Sequence, residues 1–133
     1  MSGMKKKTYG DCSSDGLNVK MPEIEVWENR FRKYEITIEY PEFNTICPLT
    51  GLPDIGTLFI RYVPGKFCAE MKSLKFYLVA YRNTGIFQEN AVNKILKDFV
   101  KCVRPERAEV EAVFNPRGGM FSRITAKYGK KKL

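Results

Sequence analysis

The chain has 133 residues, a hydrophobic fraction of 44% and a formal net charge of +8 at pH 7. This length suits one ordinary domain, and no apolar run approaches the roughly 20 residues that a membrane-spanning helix needs. The basic start of the chain is not followed by an apolar segment. We therefore predict no secretory signal, no membrane partner and a location in the cytoplasm.

The positive charge is concentrated at the two ends of the chain. Lysines at residues 5–7 and 130–132 account for six of the eight net charges. Solvated tails explain this distribution better than a basic nucleic-acid-binding face does, so we expect no direct requirement for nucleic acid. A non-catalytic basic binding module remains an alternative.

The sequence has four cysteines and no histidine. Cys12, Cys47, Cys68 and Cys102 include no C-x-x-C pair, so a zinc site of the usual kinds is not expected and we predict no metal. Cys68 and Cys102 lie among apolar neighbours and are predicted to be buried. Cys12 lies in a polar leader.

The first half of the chain predicts a leader followed by two strands. Residues 1–22 lack periodicity and suggest a mobile leader, with order beginning near Ile24. Apolar residues then alternate with polar ones at residues 34–40 and again at residues 57–63, which is the period of a half-buried strand. The inward positions are Ile36, Ile38 and Tyr40 in the first strand and Leu58, Ile60 and Tyr62 in the second.

The second half predicts two helices and two further strands. Helical spacing relates Met71, Leu74, Leu78 and Tyr81 within residues 70–82, and Val92, Ile95, Phe99 and Val103 within residues 90–103. Strands follow at residues 110–114, with Val110, Ala112 and Phe114 inward, and at residues 121–128, after a turn at residues 115–119.

The predicted order β-β-α-α-β-β indicates an α+β fold with an antiparallel sheet. We expect a leader at residues 1–22, a single domain at residues 23–129 and a basic tail at residues 130–133. An open sheet of this size has exposed edges and little room for a private pocket, so we also predict a homo-oligomer with ligand sites between subunits.

One loop carries two chemically active side chains. Cys47 and Asp54 are separated by two prolines and a glycine, which restrict the backbone and permit a tight turn. The thiol and the carboxyl can then face one another as a nucleophile and a proton donor. Taken separately, Cys47 is equally consistent with a buried apolar residue and Asp54 with a turn residue that caps backbone amides.

Several segments together resemble a known enzyme family. They are Cys47-Pro48 with Asp54, residues 70–77 (EMKSLKFY), residues 81–83 (YRN), residues 87–89 (FQE) and residues 114–119 (FNPRGG). From about Glu23 to Tyr128 the chain resembles the short form of the QueF family, the NADPH-dependent nitrile reductases of queuosine biosynthesis. The resemblance implies the tunnelling fold (T-fold), whose units assemble into barrels with interfacial sites.

The resemblance also implies a reaction. It is the reduction of 7-cyano-7-deazaguanine, the precursor of a modified tRNA base, to its aminomethyl form, with consumption of two NADPH. Cys47 matches the residue that attacks the nitrile carbon to give a covalent thioimide, and Asp54 matches the proton donor. To donate a proton near neutral pH, Asp54 must have a pKa above the ordinary value of about 4.

Substrate and cofactor contacts are implied at further positions. Glu89 matches the carboxylate that anchors the purine, and Ala69, Glu70 and Met71 match the pocket lining. Gln88 stands where the family commonly has histidine; it can hydrogen-bond the substrate but cannot titrate near neutrality. Without the resemblance, a helix-start carboxylate is the better interpretation of Glu89, and a first-turn helix residue is the alternative for Glu70.

Three basic residues match the cofactor site of the family. Lys72 and Lys75 can present two ammonium groups to the phosphates of NADPH, and Arg117 lies on a glycine-rich turn. A solvated helix face is the alternative for the lysines. A related amidinotransferase, which adds ammonia to the same nitrile in tRNA without NADPH, is the alternative enzyme, and the Lys72–Lys75 element argues against it.

Overall fold

The computed structural model describes residues 16–129 as six strands, two α-helices and two short 3₁₀ helices. The strands are β1 Val26–Glu28, β2 Ile36–Ile46, β3 Pro53–Val63, β4 Phe67–Ala69, β5 Arg107–Phe114 and β6 Arg123–Tyr128. The helices are α1 Met71–Val79 and α2 Gln88–Val103, and the 3₁₀ helices span Gly16–Asn18 and Ala80–Asn83.

The four longer strands form one antiparallel sheet in the order β2-β3-β5-β6. Ile38 pairs with Ile60, Ile60 pairs with Val110, and Val110 pairs with Ala126, so one row of side chains crosses all four strands. Both helices lie in sequence between β3 and β5. The predicted α+β fold and its β-β-α-α-β-β order are therefore confirmed, with β2 and β6 as the edge strands.

Two features of the sheets were missed by the sequence patterns. The short strands β1 and β4 pair with each other, with Trp27 opposite Cys68, and three residues are too few to show an alternation. Strand β2 also continues to Ile46 although it contains Pro41. The pairing register shifts between Tyr40 and Phe43, and a bulge on an edge strand is one of the places where a strand accommodates proline.

One face of the sheet packs against the helices to form the core. The inward positions predicted for β3, β5 and α2 are all buried: Leu58, Ile60, Tyr62, Val110, Ala112, Phe114, Val92, Ile95, Phe99 and Val103. The rings of Tyr62 and Phe99 meet edge to face with centroids 4.8 Å apart, a favourable aromatic geometry that ties α2 to β3. The core thus fixes where α2 lies on the sheet.

Helix α1 differs from its prediction at both ends. Met71 shares the helical spacing of the apolar residues but is 56% exposed, because it lies in the first turn after the Glu70 cap, outside the core. The α-helix ends at Val79, and a 3₁₀ helix continues to Asn83. The other residues at this spacing, Leu74, Leu78 and Tyr81, are buried.

Regular structure begins at Gly16, before the point near Ile24 at which order was predicted to begin. Gly16 is buried in the 3₁₀ helix, where a Cβ would collide with Ile86, and Met21 packs against the core. Cys68 is buried as predicted, whereas Cys102 is only half-buried. Cys12 and both lysine clusters lie outside the described residues. No helix within residues 16–129 is long and apolar enough to cross a membrane.

Candidate active site

The loop between β2 and β3 presents the Cys47 thiol. The Cys47 amide donates to the Leu52 carbonyl at 2.8 Å, and the Gly51 amide donates to the Cys47 carbonyl at 2.9 Å. Gly51 has φ +73°, a left-handed conformation that glycine adopts without a steric penalty. These bonds close a tight loop and leave Cys47 half-buried at its base.

Asp54 lies beside this loop because β2 and β3 form a hairpin. It pairs directly with Thr45, and Ile46 pairs with Pro53. Asp54 therefore lies at the end of the β2–β3 ladder, and Cys47 is the first residue after β2. Only 15% of the Asp54 side chain is exposed. The hairpin therefore holds the residues that carry the thiol and the carboxyl at the same end of the β2–β3 pair within one chain.

The end of β2 also holds the start of α2 in place. The Ile46 amide donates to the Thr84 carbonyl at 2.9 Å, and the Ile86 amide donates to the Ile46 carbonyl at 3.0 Å. Helix α2 begins two residues later, with Gln88 and Glu89 in its first turn. This backbone bridge explains why these two side chains come close to Asp54.

The turn between β5 and β6 completes the cluster. The Asn115 amide donates to the Ile55 carbonyl at 2.8 Å, which ties the turn to β3. The Arg117 guanidinium donates to the Pro53 carbonyl and lies 3.9 Å from Asp54 Oδ1. Arg117 was predicted to contact the cofactor, and it lies beside the candidate proton donor.

The Cys47 thiol has a pKa below its ordinary value. Burial opposes the thiolate, but hydrogen bonds from the Thr50 hydroxyl and from the amides of Thr50 and Leu49 outweigh it; the Asp54 carboxylate acts weakly in the opposite direction. The Thr50 Oγ1 accepts the Leu52 amide at 3.2 Å, so its own hydrogen is free to point at the sulfur. The loop therefore favours a nucleophilic thiolate.

The Asp54 carboxyl has a pKa above its ordinary value. Burial is the main cause, and it exceeds the opposing effects of the Arg117 charge and of a hydrogen bond from the Gln88 side chain. The nearby Glu89 carboxylate raises the pKa of Asp54 further. Asp54 thus retains a proton at a higher pH than an exposed aspartate does, as a proton donor requires.

The remaining predicted residues form a second cluster, at the start of α1. Glu70 caps the helix, since its side-chain oxygens accept the Ser73 amide at 2.7 Å and the Lys72 amide at 3.0 Å. These bonds lower the pKa of Glu70. The Ala69 amide donates to the Tyr62 hydroxyl at 3.0 Å, while Met71 is exposed. The alternative interpretation of Glu70 as a helix-start residue describes its carboxylate correctly.

Lys72 and Lys75 are exposed on α1 beside an open groove of about 400 Å³. The groove lies between α1 and the first half of β2, and its other lining residues are Ile38, Glu39, Tyr40, Met71, Leu74 and Leu78. From Tyr40 to the Cys47 loop is seven residues of chain, about 20 Å at the rise of a strand. Within one chain, Met71, Lys72 and Lys75 thus lie beside the first half of β2, whereas Cys47 follows its other end.

One residue of the candidate site was missed by sequence reasoning. The Thr50 hydroxyl lowers the pKa of the Cys47 thiol and so favours its ionised form. The sequence signal for this role is the position of a hydroxyl residue three places after a cysteine in a turn. Side chains in turns commonly meet groups two or three residues further along, as they do at helix caps.

Among the described residues, no three potential ligands of the His, Cys, Asp and Glu types are grouped for a metal ion.

The sequence matches known proteins over most of its length. A family described as QueF-like protein matches residues 53–133. The chain is 53% identical over 122 residues to the NADPH-dependent 7-cyano-7-deazaguanine reductase of Elusimicrobium minutum, covering 91% of this chain and 92% of that protein. The chain belongs to the QueF-like family. The prediction of that family from the sequence is confirmed.

Further relatives and a solved structure agree with this assignment. Proteins of the same name from Chloroherpeton thalassium and Chlorobaculum tepidum are 47% and 49% identical, over 84% and 82% of this chain and 98% and 95% of their own lengths. The crystal structure of the archaeosine synthase QueF-Like in the apo form superimposes with a TM-score of 0.68 at 17% identity. It covers 74% of this chain and 96% of that one, and it supports the predicted T-fold.

Proposed function

We propose that this member of the QueF-like family reduces the nitrile of 7-cyano-7-deazaguanine to an aminomethyl group in queuosine biosynthesis. The names of its relatives support an oxidoreductase of this kind, with NADPH as the cofactor. The observation that carries the proposal is the Cys47–Asp54 pair. A thiol with a lowered pKa lies at the end of the same ladder as a carboxyl with a raised pKa.

The pair can form a covalent thioimide with balanced atoms and protons. The Cys47 sulfur bonds to the nitrile carbon while one carbon–nitrogen π bond breaks and its electron pair moves to nitrogen. The thiol proton passes to the Asp54 carboxylate, and Asp54 delivers that same proton to the nitrogen. The product contains every atom of the thiol and the nitrile, and Asp54 is left ionised.

The two pKa shifts set a pH window for this step. The pair must hold one proton, so the step fails in acid when both groups are protonated and in base when both are ionised. Because the pKa of Asp54 is raised, the acid limit lies at a higher pH than for an ordinary aspartate. Because the pKa of Cys47 is lowered, the basic limit lies below that of an ordinary cysteine.

Substrate contacts are proposed on both sides of this pair. Glu89 is exposed in the first turn of α2, where its carboxylate can accept two parallel hydrogen bonds from a guanine-like edge. Gln88 precedes this anchor in the same turn, and both side chains influence the pKa of Asp54. Since the Glu70 carboxylate is occupied as a helix cap, contacts from the start of α1 would come from Met71 and the backbone near Ala69.

The residues at the start of α1 fit a phosphate-bearing cofactor. Lys72 and Lys75 expose their side chains at the rim of an apolar groove, and no ion pair of the described residues includes Lys75. Two ammonium groups there can bind the phosphates of NADPH. When bound, NADPH supplies the hydride that reduces the nitrile carbon, twice for the complete reaction. Arg117 adds a positive charge on the Asp54 side.

We propose that two copies of the chain complete each site. Within one chain, the groove beside the lysines is lined by the first half of β2, whereas the reactive loop follows the end of that strand. Large apolar side chains around the reactive loop are exposed: Leu49, Leu52, Ile55, Met120 and Phe121. A homo-oligomer that brings the α1 start of one copy to the loop of another would bury them.

A direct test is to mix the purified protein with the cyano-deazaguanine and analyse it by mass spectrometry, then add NADPH. We expect an adduct of the full substrate mass on Cys47, which disappears as reduced cofactor is consumed. Cys47→Ala should form no adduct, and Asp54→Asn should form it at least ~100-fold more slowly, the range in which general acid catalysis contributes. Cys102→Ala, at a half-buried thiol away from the loop, is the matched control.

The proposal fails if wild type forms no adduct or if Cys47→Ala forms as much as wild type. Adduct formation without any consumption of NADPH would instead favour the amidinotransferase alternative. The similarity to the archaeosine synthase does not favour that alternative by itself, because at 17% identity it concerns the fold alone.

A further inference from the structure

A hydrogen bond connects the start of α2 to the start of β6 behind the reactive pair. The Ser122 hydroxyl donates to Gln88 Oε1 at 2.6 Å, across 34 positions of sequence. Both residues are half-buried. Ser122 is itself held in place, because its carbonyl accepts the Phe114 amide at 3.0 Å at the end of β5. The contact therefore joins two elements that are fixed independently.

This bond decides which way the Gln88 amide faces. An amide oxygen only accepts hydrogen bonds, so its bond to Ser122 leaves the NH₂ group of Gln88 for the other side. The Gln88 side chain also lowers the pKa of Asp54, as an NH₂ group directed at that carboxylate does. An ionised carboxylate accepts and cannot donate, so the opposite amide orientation would set two oxygens against each other.

We propose that Ser122 is a positioning residue for Asp54, acting by fixing the Gln88 amide so that its nitrogen donates to the Asp54 carboxylate. The role in catalysis rests on the proposed function, but the hydrogen-bond chain itself does not. Glutamine here supplies a donor that carries no titrating proton, whereas a histidine would change its charge near neutral pH. The chain of hydrogen bonds thus keeps the acid in one orientation throughout the working pH range.

Other charged groups also face Asp54 and must be separated from this effect. Arg117 approaches from the β5–β6 turn, Glu89 from α2 and Cys47 from the β2–β3 loop. Arg117 is 53% exposed, so solvent screens part of its charge. Substitution of the neutral Ser122 changes none of these charges, which makes it a cleaner probe than any charged residue of the cluster.

The test is a carboxyl titration by NMR of protein labelled with ¹³C at aspartate. The chain has four aspartates, Asp11, Asp15, Asp54 and Asp98, and the signal that Asp54→Asn removes identifies the one of interest. In Ser122→Ala the Gln88 amide loses its orienting partner, so we expect the pKa of Asp54 to rise above that of wild type. Ser122→Thr keeps the hydroxyl and should restore the wild-type titration.

A double substitution tests whether Ser122 acts through Gln88. Gln88→Ala removes the donor, so it should raise the pKa of Asp54 at least as far, and adding Ser122→Ala to it should change nothing more. Additive effects in the double variant would overturn the proposal. So would an unchanged Asp54 titration in Ser122→Ala, or a failure of Ser122→Thr to restore it.

A kinetic measurement then connects this chain of hydrogen bonds to the reaction. Ser122→Ala should lower kcat by about tenfold, the effect of losing one hydrogen bond to a charged group, with little change in the KM for the nitrile. A rise in KM at constant kcat would contradict positioning of the acid. If the NMR result holds but wild type forms no adduct on Cys47, the proposed function fails while the hydrogen-bond chain stands.

Discussion

The two clusters of candidate site residues differ in how complete each one is. Around Asp54, three separate elements converge, and their side chains shift the pKa values of Cys47 and Asp54. At the start of α1, the charged side chains either cap their own helix, as Glu70 does, or are exposed, as Lys75 is. The first cluster brings together groups that suit the proposed covalent step, whereas the second presents exposed basic groups that suit the proposed binding of the cofactor.

This difference gives a physical reason for a site shared between copies. The α1 groove is lined by the first half of β2, whereas Cys47 follows the end of that strand, so the two surfaces of one chain are separated along it. In the proposed site, NADPH binds at the α1 groove of one copy, and the bond to the nitrile forms at the Cys47 loop of another. Each surface can be tested separately, and the two can be recombined.

The largest expected effect separates the two surfaces. The double variant Lys72→Ala, Lys75→Ala should raise the KM for NADPH by roughly 100-fold, since removing each charge-assisted hydrogen bond to a phosphate weakens binding about tenfold. It should form the Cys47 adduct at the wild-type rate, which mass spectrometry measures. Lys97→Ala, an exposed lysine on α2, is the control and should change neither quantity.

Mixing the variants then tests whether the surfaces come from different copies. Cys47→Ala and the double lysine variant should each be nearly inactive at low NADPH. When unfolded together and refolded, some interfaces should combine an intact loop with an intact groove and regain activity. If the mixture is no more active than the two separate preparations, the site is not shared in this way.

The sequence predicted those features of the fold and of the candidate site that depend on local patterns. Alternation in β3 and helical spacing in α2 identify their buried residues because burial on one face imposes the period. The residues Cys47 and Asp54 could be paired because a short hairpin loop links them. In contrast, the hydrogen bond from Ser122 to Gln88 spans 34 positions, and no local pattern predicts a meeting set by the packing of whole elements.

Two errors in the prediction have local causes that become visible only in the folded chain. Pro41 obscured the second half of β2, since the pattern gives no sign of the bulge that accommodates it. Met71 fits the apolar stripe of α1, but the cap at Glu70 places it in a turn that extends past the core. An apolar residue in the first turn of a helix is therefore a weaker indicator of burial than one in the middle.

A smaller effect is expected at Thr50, which sharpens the description of the reactive loop. Thr50→Val keeps the shape of the side chain but removes the hydroxyl bond to the sulfur, so the pKa of Cys47 should rise. At pH 7, alkylation of the Cys47 peptide by iodoacetamide should slow about fivefold, and its inflection should move to higher pH. Thr37→Val, at an exposed position on β2, should leave the profile unchanged. An unshifted profile in Thr50→Val would assign the low pKa to the backbone amides alone.

The smallest effect is expected at Glu70, where it separates a helix cap from a substrate ligand. The pKa of Glu70 is lowered by the Ser73 and Lys72 amides, so its ionised form stabilises the fold. That contribution is present above the ordinary value of 4.5 and is lost as the pH falls through the lowered pKa. Thermal unfolding should therefore show Glu70→Gln to be slightly less stable than wild type at neutral pH and equal to it in acid. Glu106→Gln, at an exposed glutamate, should show no such pH dependence. Formation of the Cys47 adduct should be unaffected, and a variant that keeps full stability but binds the nitrile weakly would show that this carboxylate leaves the helix to hold the substrate.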